Sequence, residues 1–395
     1  MNNNRIREFD IIKGLGILSV LVGHLIYRNP DTVADFLVNS AANGFIVVFF
    51  ILSAYVYNPE KRSIKDEYIN KFKTLFLPTI ALAGGASVIG GIYCYFVHHF
   101  TFAQWVRNLS YTFIRFELSD LIYPDSFDAV EDVLYLDLSP TWFIWTMCFT
   151  FILFIPLAKV LHNKKTLNLI CCIALLFVGT VLYVNLKQSP WNLAHVPIYT
   201  SIMLFSQLLR EYDITNKIIS LKPWISTLTT IVSTAIYFVL FYFILDTHMY
   251  EGQLGVFHVY KFDHWYKYHT LNNPLIGMRD TLIWTETIVF FIQGFLCMYI
   301  GFNIARLIKN SQIITNAMEW IGKRSLDFLI LHCLFGLVFV DLLHTYNRPG
   351  LNWYLPNLTT TIVIKSYVTA IGALISCIVF CIIKDKIKNK LFSKN

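Results

Sequence analysis

Apolar runs of about twenty residues recur along this chain, and they constrain its fold more than any other feature. Ten can be traced, at roughly 11–28, 43–57, 74–97, 142–161, 166–186, 194–210, 226–245, 283–305, 326–343 and 362–383. As a helix, such a run reaches across the hydrocarbon core of a bilayer. Within that core every backbone N–H and C=O must be satisfied by a helix or a closed barrel. Barrel strands alternate apolar and polar residues, and these runs do not. The expected fold is therefore all-α: a polytopic integral membrane helical bundle with about ten transmembrane helices. The runs at 43–57 and 194–210 are the shortest. Charged residues make up 14% of the chain, against about 25% in an ordinary soluble domain.

The basic residues set an orientation. With the N-terminus in the cytosol, 23 of the 32 lysines and arginines fall on cytosolic segments. This follows the positive-inside rule, and ten crossings place both termini in the cytosol. The net charge of +7 then records topology. A nucleic-acid partner is disfavoured, because no basic patch sits on a soluble domain. The first apolar run is not followed by a small-residue cleavage site, so it is expected to remain as the first helix. No composition shift divides residues 1–395, which read as one membrane domain with no fused soluble domain.

Two outer segments are long. Residues 98–140 are acidic, with Glu117, Asp120, Asp125, Asp128, Glu131, Asp132 and Asp137. Residues 246–282 carry His248, His258, His264 and His269 with Trp265, Tyr266 and Tyr268. Long loops often carry function, and aromatic and acidic side chains suit sugar faces and hydroxyls. An interfacial aromatic belt explains the second segment equally well. Neither these histidines nor the eight cysteines show metal-ligand spacing, so no metal site is expected.

Asp10, Lys13 and His24 interrupt the first run. Ionisable groups at membrane depth are costly and mark function. Lys13 and His24 are eleven residues apart, so on a helix they share a face, separated by about 16 Å along the axis. Asp10 lies about 40° off that face and roughly 21 Å from His24, too far for a hydrogen-bonded dyad. A neutral imidazole in a dry pocket can take a hydroxyl proton. A rim lysine offers a cation for phosphate. One extended ligand, with phosphate at one end and a reactive group at the other, touches both. A coenzyme A thioester has that shape. Packing or interhelical hydrogen bonding is the other reading of a lone membrane histidine.

The stretch FDIIKGLGILSVLVGH (9–24) resembles the opening motif of the membrane acyltransferase-3 family, above all its fucose-4-O-acetylase-like branch. FIVVFFILSAYVY (45–57), KFKTLFLP (71–78), WFIWTMCF (142–149) and WIGKRSLDFLILHCLF (320–335) resemble further motifs of that family, in its order. There are departures. Lys13 stands where arginine is common, Ala54 where glycine is frequent, and Leu329 where a tyrosine precedes the second histidine. Lys71 and Lys73 replace arginines. Lysine keeps the charge but loses bidentate phosphate geometry.

The resemblance implies a membrane O-acyltransferase, with acetyl-CoA as donor and a hydroxyl of a cell-surface polysaccharide or lipid-linked glycan as acceptor. It implies His24 as general base. Lys13, Lys71 and Lys73 would sit near donor phosphates, with Asp10 orienting that rim. His332 would be a second acid/base or a packing residue. Ser325 reads as the cap of the helix carrying His332. Trp142 and Glu286 are candidates on the substrate side; Glu286 and Gln293, seven apart, either line the acceptor path or bridge helices. The family branch implies a bacterial cytoplasmic (inner) membrane location. A transporter or flippase of a lipid-linked sugar is the alternative, although no pair of Gly/Pro-broken helices supports it.

Overall fold

In the computed structural model, the described residues are 6–26, 33–97, 101, 102, 105, 141–185, 190–240, 279–343 and 360–392, with backbone alone for 33–43, 141–142, 184–185, 190–192, 279–286, 337, 340–341, 360, 362 and 391–392. Both long outer segments and their aromatic, histidine and acidic residues lie largely outside this set. Among the described residues all regular structure is helical. In chain order the helices are α1 (Arg7–Leu25), α2 (Val33–Tyr55), α3 (Ile64–Lys71) and α4 (Leu77–Val97). Then come α5 (Thr141–Val160), α6 (Lys165–Asn185), α7 (Val196–Glu211), α8 (Ile214–Ile219) and α9 (Pro223–Leu240). The last four are α10 (Arg279–Ile308), α11 (Gln312–Gly322), α12 (Ser325–Leu342) and α13 (Thr360–Phe392).

Each expected apolar run lies on a helix, but by length and apolar composition only 6 of these helices qualify as membrane spans among the described residues. They are Ile64–Val97, Phe143–Val160, Lys165–Tyr183, Pro223–Leu240, Thr287–Ile308 and Val363–Lys390. The count takes in only residues described in full, which limits α2 to Gly44–Tyr55 and α12 to Ser325–Gly336. The remaining four, α1, α2, α7 and α12, pack at the centre. Helix α1 touches α2, α10, α11, α12 and α13, and α7 is wedged among α2, α5 and α6. Nearly every residue of α7 from Val196 to Leu208 is buried. A helix surrounded by protein does not need a lipid-compatible surface, so α7 can be shorter and α1 can carry Asp10 and Lys13. Helix α9 is the opposite case: it packs on α10, and Tyr237 is its one buried residue.

The core is aromatic. Phe50 on α2 stacks on Tyr199 of α7 with ring centroids 4.0 Å apart, and Phe143 of α5 meets Phe50 edge-on. Helix α7 also completes the end of α2. The last carbonyls of a helix have no partner within it. Gln207 Nε2 donates to the carbonyls of Ala54 and Tyr57, Arg210 donates to that of Tyr57, and Ser206 Oγ donates to that of Ile51. Buried polar groups on α7 thus cap α2 where water cannot.

Between α3 and α4 the chain forms one π-helical turn, Phe72–Phe76. The Leu77 N–H reaches back five residues to the Phe72 carbonyl. Pro78 follows. Proline has no N–H to return and its ring crowds the carbonyl four residues back, so a widened turn accommodates it. Lys73 lies in this turn and is exposed.

Candidate active site

Two glycines bring the two ends of the chain together. A Cβ on Gly14 would lie 2.3 Å from the Met318 carbonyl oxygen, and one on Gly322 would lie 1.9 Å from that of Asp10. Backbone therefore meets backbone where α1 crosses α11, and only glycine permits the approach. Around the crossing, Arg7 pairs with Glu319, and Lys309 pairs with Glu8 at 2.7 Å. The same rim holds Asp10, 3% exposed, with the Lys13 ammonium 2.8 Å from its carboxylate. Asp10 is thus a partner of Lys13 at one end of α1, as helical spacing required.

At the other end of α1 the second expected histidine arrives. The His24 and His332 rings have centroids 5.3 Å apart, tilted by 45°. His332 is buried on α12, which packs on α1. Its Nδ1 lies 2.9 Å from the carbonyl oxygen of Phe328, four residues back. A carbonyl can only accept, so Nδ1 carries the proton and the neutral ring keeps a lone pair on Nε2. The Cys333 Sγ lies 3.3 Å from that Nε2. The site therefore holds a half-buried histidine facing a second histidine whose tautomer is fixed by its own helix.

Helix α12 begins at Ser325, which makes Ser325 the first helical residue and Arg324 the flanking one; the expected cap is displaced by one position. What secures this end of α12 is charge. Lys384 of α13 pairs with Asp327 at 2.6 Å, and Arg324 pairs with Asp385 while lying over the Trp320 ring. These tether α12, and with it His332, to α13. They escape sequence reading because the partners are far apart in the chain.

Lys71 is engaged elsewhere. Its ammonium sits 3.8 Å from the centroid of the Phe151 ring on α5, a cation–π contact. Lys71 and Lys73 therefore belong to the α3–α5 side, whereas Lys13 belongs to the α1–α11 rim. Gln293 is buried and its amide reaches the Tyr237 carbonyl at 3.5 Å, which makes it a bridge between α10 and α9. The side chains of Glu286 and Trp142 lie outside the described residues. Among the described residues no cluster of His, Cys, Asp or Glu could hold a metal ion.

Neither the curated proteins nor the solved structures contain a match to this chain. The family comparison does: the acyltransferase-3 model, described as an acyltransferase domain, matches residues 6–384. That range takes in both glycines of the α1–α11 crossing, both histidines and the lysines of the rim. With six helices among the described residues long and apolar enough to cross a bilayer, the chain belongs to the acyltransferase-3 family and is a multi-pass membrane acyltransferase.

Proposed function

We propose that the protein is an O-acetyltransferase, which moves acetyl from acetyl-CoA to a hydroxyl of a cell-surface polysaccharide or its lipid-linked precursor. The observation that carries this reading is the placement of His24 against His332 at one end of α1, with Lys13 at the other. Lys13 and His24 are about 16 Å apart along the helix, which suits a ligand with phosphates at one end and a thioester at the other. In this reading the N-terminus is cytosolic, the chain crosses a bacterial cytoplasmic membrane ten times, and the donor enters at the Lys13 rim.

The chemistry follows from the ring positions. His24 takes the proton of the acceptor hydroxyl as its oxygen attacks the thioester carbonyl. The C–S bond then breaks, and the thiolate of coenzyme A recovers that proton from the His24 imidazolium. An ester and free coenzyme A result. His332 stands beside His24 with ring centroids 5.3 Å apart and gives the site a polar neighbour as charge develops on the His24 imidazolium. Lys13 gives one N–H to Asp10 and keeps two donors for phosphate. Lys71 and Lys73 serve the donor only through a second contact region near α3.

The test uses purified protein in nanodiscs with radiolabelled acetyl-CoA and a lipid-linked saccharide extract. His24→Ala should lose transfer by at least about a hundredfold, the usual worth of a general base, while its melting temperature and gel-filtration profile match the parent. Normal glycan acetylation by this variant would remove His24 from the chemistry.

A further inference from the structure

A buried hydroxyl near the histidines has no partner among the described residues. Thr369 on α13 is 1% exposed, and its Oγ1 makes no hydrogen bond. Helical threonines ordinarily solve this by donating to the carbonyl four residues back. In this protein Thr79, Thr150, Thr180, Thr200 and Thr234 all do so, at 2.6–2.8 Å. One turn earlier on α13, Ser366 returns its hydroxyl to Val363 at 2.7 Å. Thr369 instead turns its oxygen away from its own backbone. A buried hydroxyl left unmatched is costly, and one that lies along a substrate path can take its partner from the substrate.

Its position can be fixed from neighbouring contacts. Helix α13 runs antiparallel to α12: Cys381 meets Asp327 near the start of α12, and a Cβ on Gly372 would meet the Phe339 ring. Ala370 and Ala373 pack in one cluster with Leu21, Leu25 and Ile26, which flank His24 on α1. Thr369 shares the buried seam of Ser366, Ala370, Ala373 and Cys377. It therefore lies roughly 10 Å beyond the histidine pair, on the side away from Lys13.

We propose that Thr369 Oγ1 hydrogen-bonds the acceptor saccharide, holding it at a hydroxyl roughly 10 Å from the one that reacts at His24. The proposal rests on the O-acetyltransferase reading. A donor whose phosphates lie at Lys13 brings its thioester to the histidines from one side. The acceptor then approaches from the other, which is the side of Thr369.

The experiment compares Thr369→Val, which keeps shape and removes the hydroxyl, with Thr369→Ser, which keeps the hydroxyl. Purified full-length protein in nanodiscs is given radiolabelled acetyl-CoA, with and without a titrated lipid-linked saccharide fraction. Transfer to saccharide and hydrolysis to acetate are read separately, because water as acceptor needs no Thr369. Thr369→Val should raise the apparent KM for saccharide about tenfold, the worth of one hydrogen bond. Donor KM, hydrolysis and melting temperature should stay at parent values, and Thr369→Ser should restore the saccharide KM. Unchanged saccharide kinetics in Thr369→Val, or an equal fall in transfer and hydrolysis, would overturn the role of Thr369 alone. Absence of any His24-dependent acetyl-CoA turnover in the parent would overturn the O-acetyltransferase reading and the Thr369 role with it.

Discussion

Gly322→Ala tests the interlock between the two ends of the chain. The added Cβ would start 1.9 Å from the Asp10 carbonyl oxygen, and such contacts are essentially never below 3.0 Å. The gap must open by at least 1.1 Å, the difference between those two distances. The obstacle is backbone on both sides, so no rotamer change relieves it. Overpacking of this kind costs about 1–3 kcal/mol. The displacement also reaches the chemistry, because Gly322 lies three residues before Ser325, where α12 with its His332 begins. A misplacement of about 1 Å at a reacting group can cost a hundredfold in rate. Gly322→Ala should therefore lower acetyl transfer by about that factor, together with a lower melting temperature. Gly85→Ala is the control, since a Cβ there meets nothing within 4 Å; it should leave both unchanged. Gly322→Ala with parental activity and melting temperature would refute the close crossing and its link to His332.

Two further outcomes follow from the polar groups. Lys13→Ala takes the ammonium away from a carboxylate that is 3% exposed; stability should fall by about 1–3 kcal/mol, and Asp10→Asn in the same chain should recover part of it, as read in a thermal melt. Transfer by Lys13→Ala should show a raised KM for acetyl-CoA with the saccharide KM unmoved. Tyr57 has a buried hydroxyl with no hydrogen bond, so Tyr57→Phe should match or exceed the parent's melting temperature; a drop of more than a degree or two would show that the hydroxyl has a partner in the folded protein.

Much of the fold was legible because hydropathy is a local signal. Every apolar run became a helix, and the all-helical class followed from the rule that lipid leaves no other option for such runs. The helix-one geometry was legible for the same reason: fixed rise and rotation placed Asp10 beside Lys13 and away from His24. What stayed hidden was tertiary. Nothing local to residue 24 announces His332, and a helix's own periodicity cannot report which distant helix it will face. The centrality of α7 was hidden too, since a buried helix and a lipid-facing one both read as apolar. The grouping of Lys71 and Lys73 with Lys13 rested on resemblance. The contact of Lys71 with the Phe151 ring on α5 was hidden because it too is tertiary. The two glycines were visible as letters, but only the crossing gives them a purpose.

The contact between α1 and α11 also bears on how the enzyme comes into being. Arg7 and Glu319 are 312 positions apart in the chain, and His24 waits nearly as long for His332. At a synthesis rate of about 5–20 residues per second, the first helix stands in the membrane for roughly 15–60 s before its partners emerge. Through that interval the nascent protein has no paired histidines, and Glu319 is not yet made to meet Arg7. On the roles proposed for His24 and His332, activity is switched on late, by arrival of the C-terminal third. A ribosome that stalls before α11 leaves behind a membrane fragment that lacks His332 and Glu319.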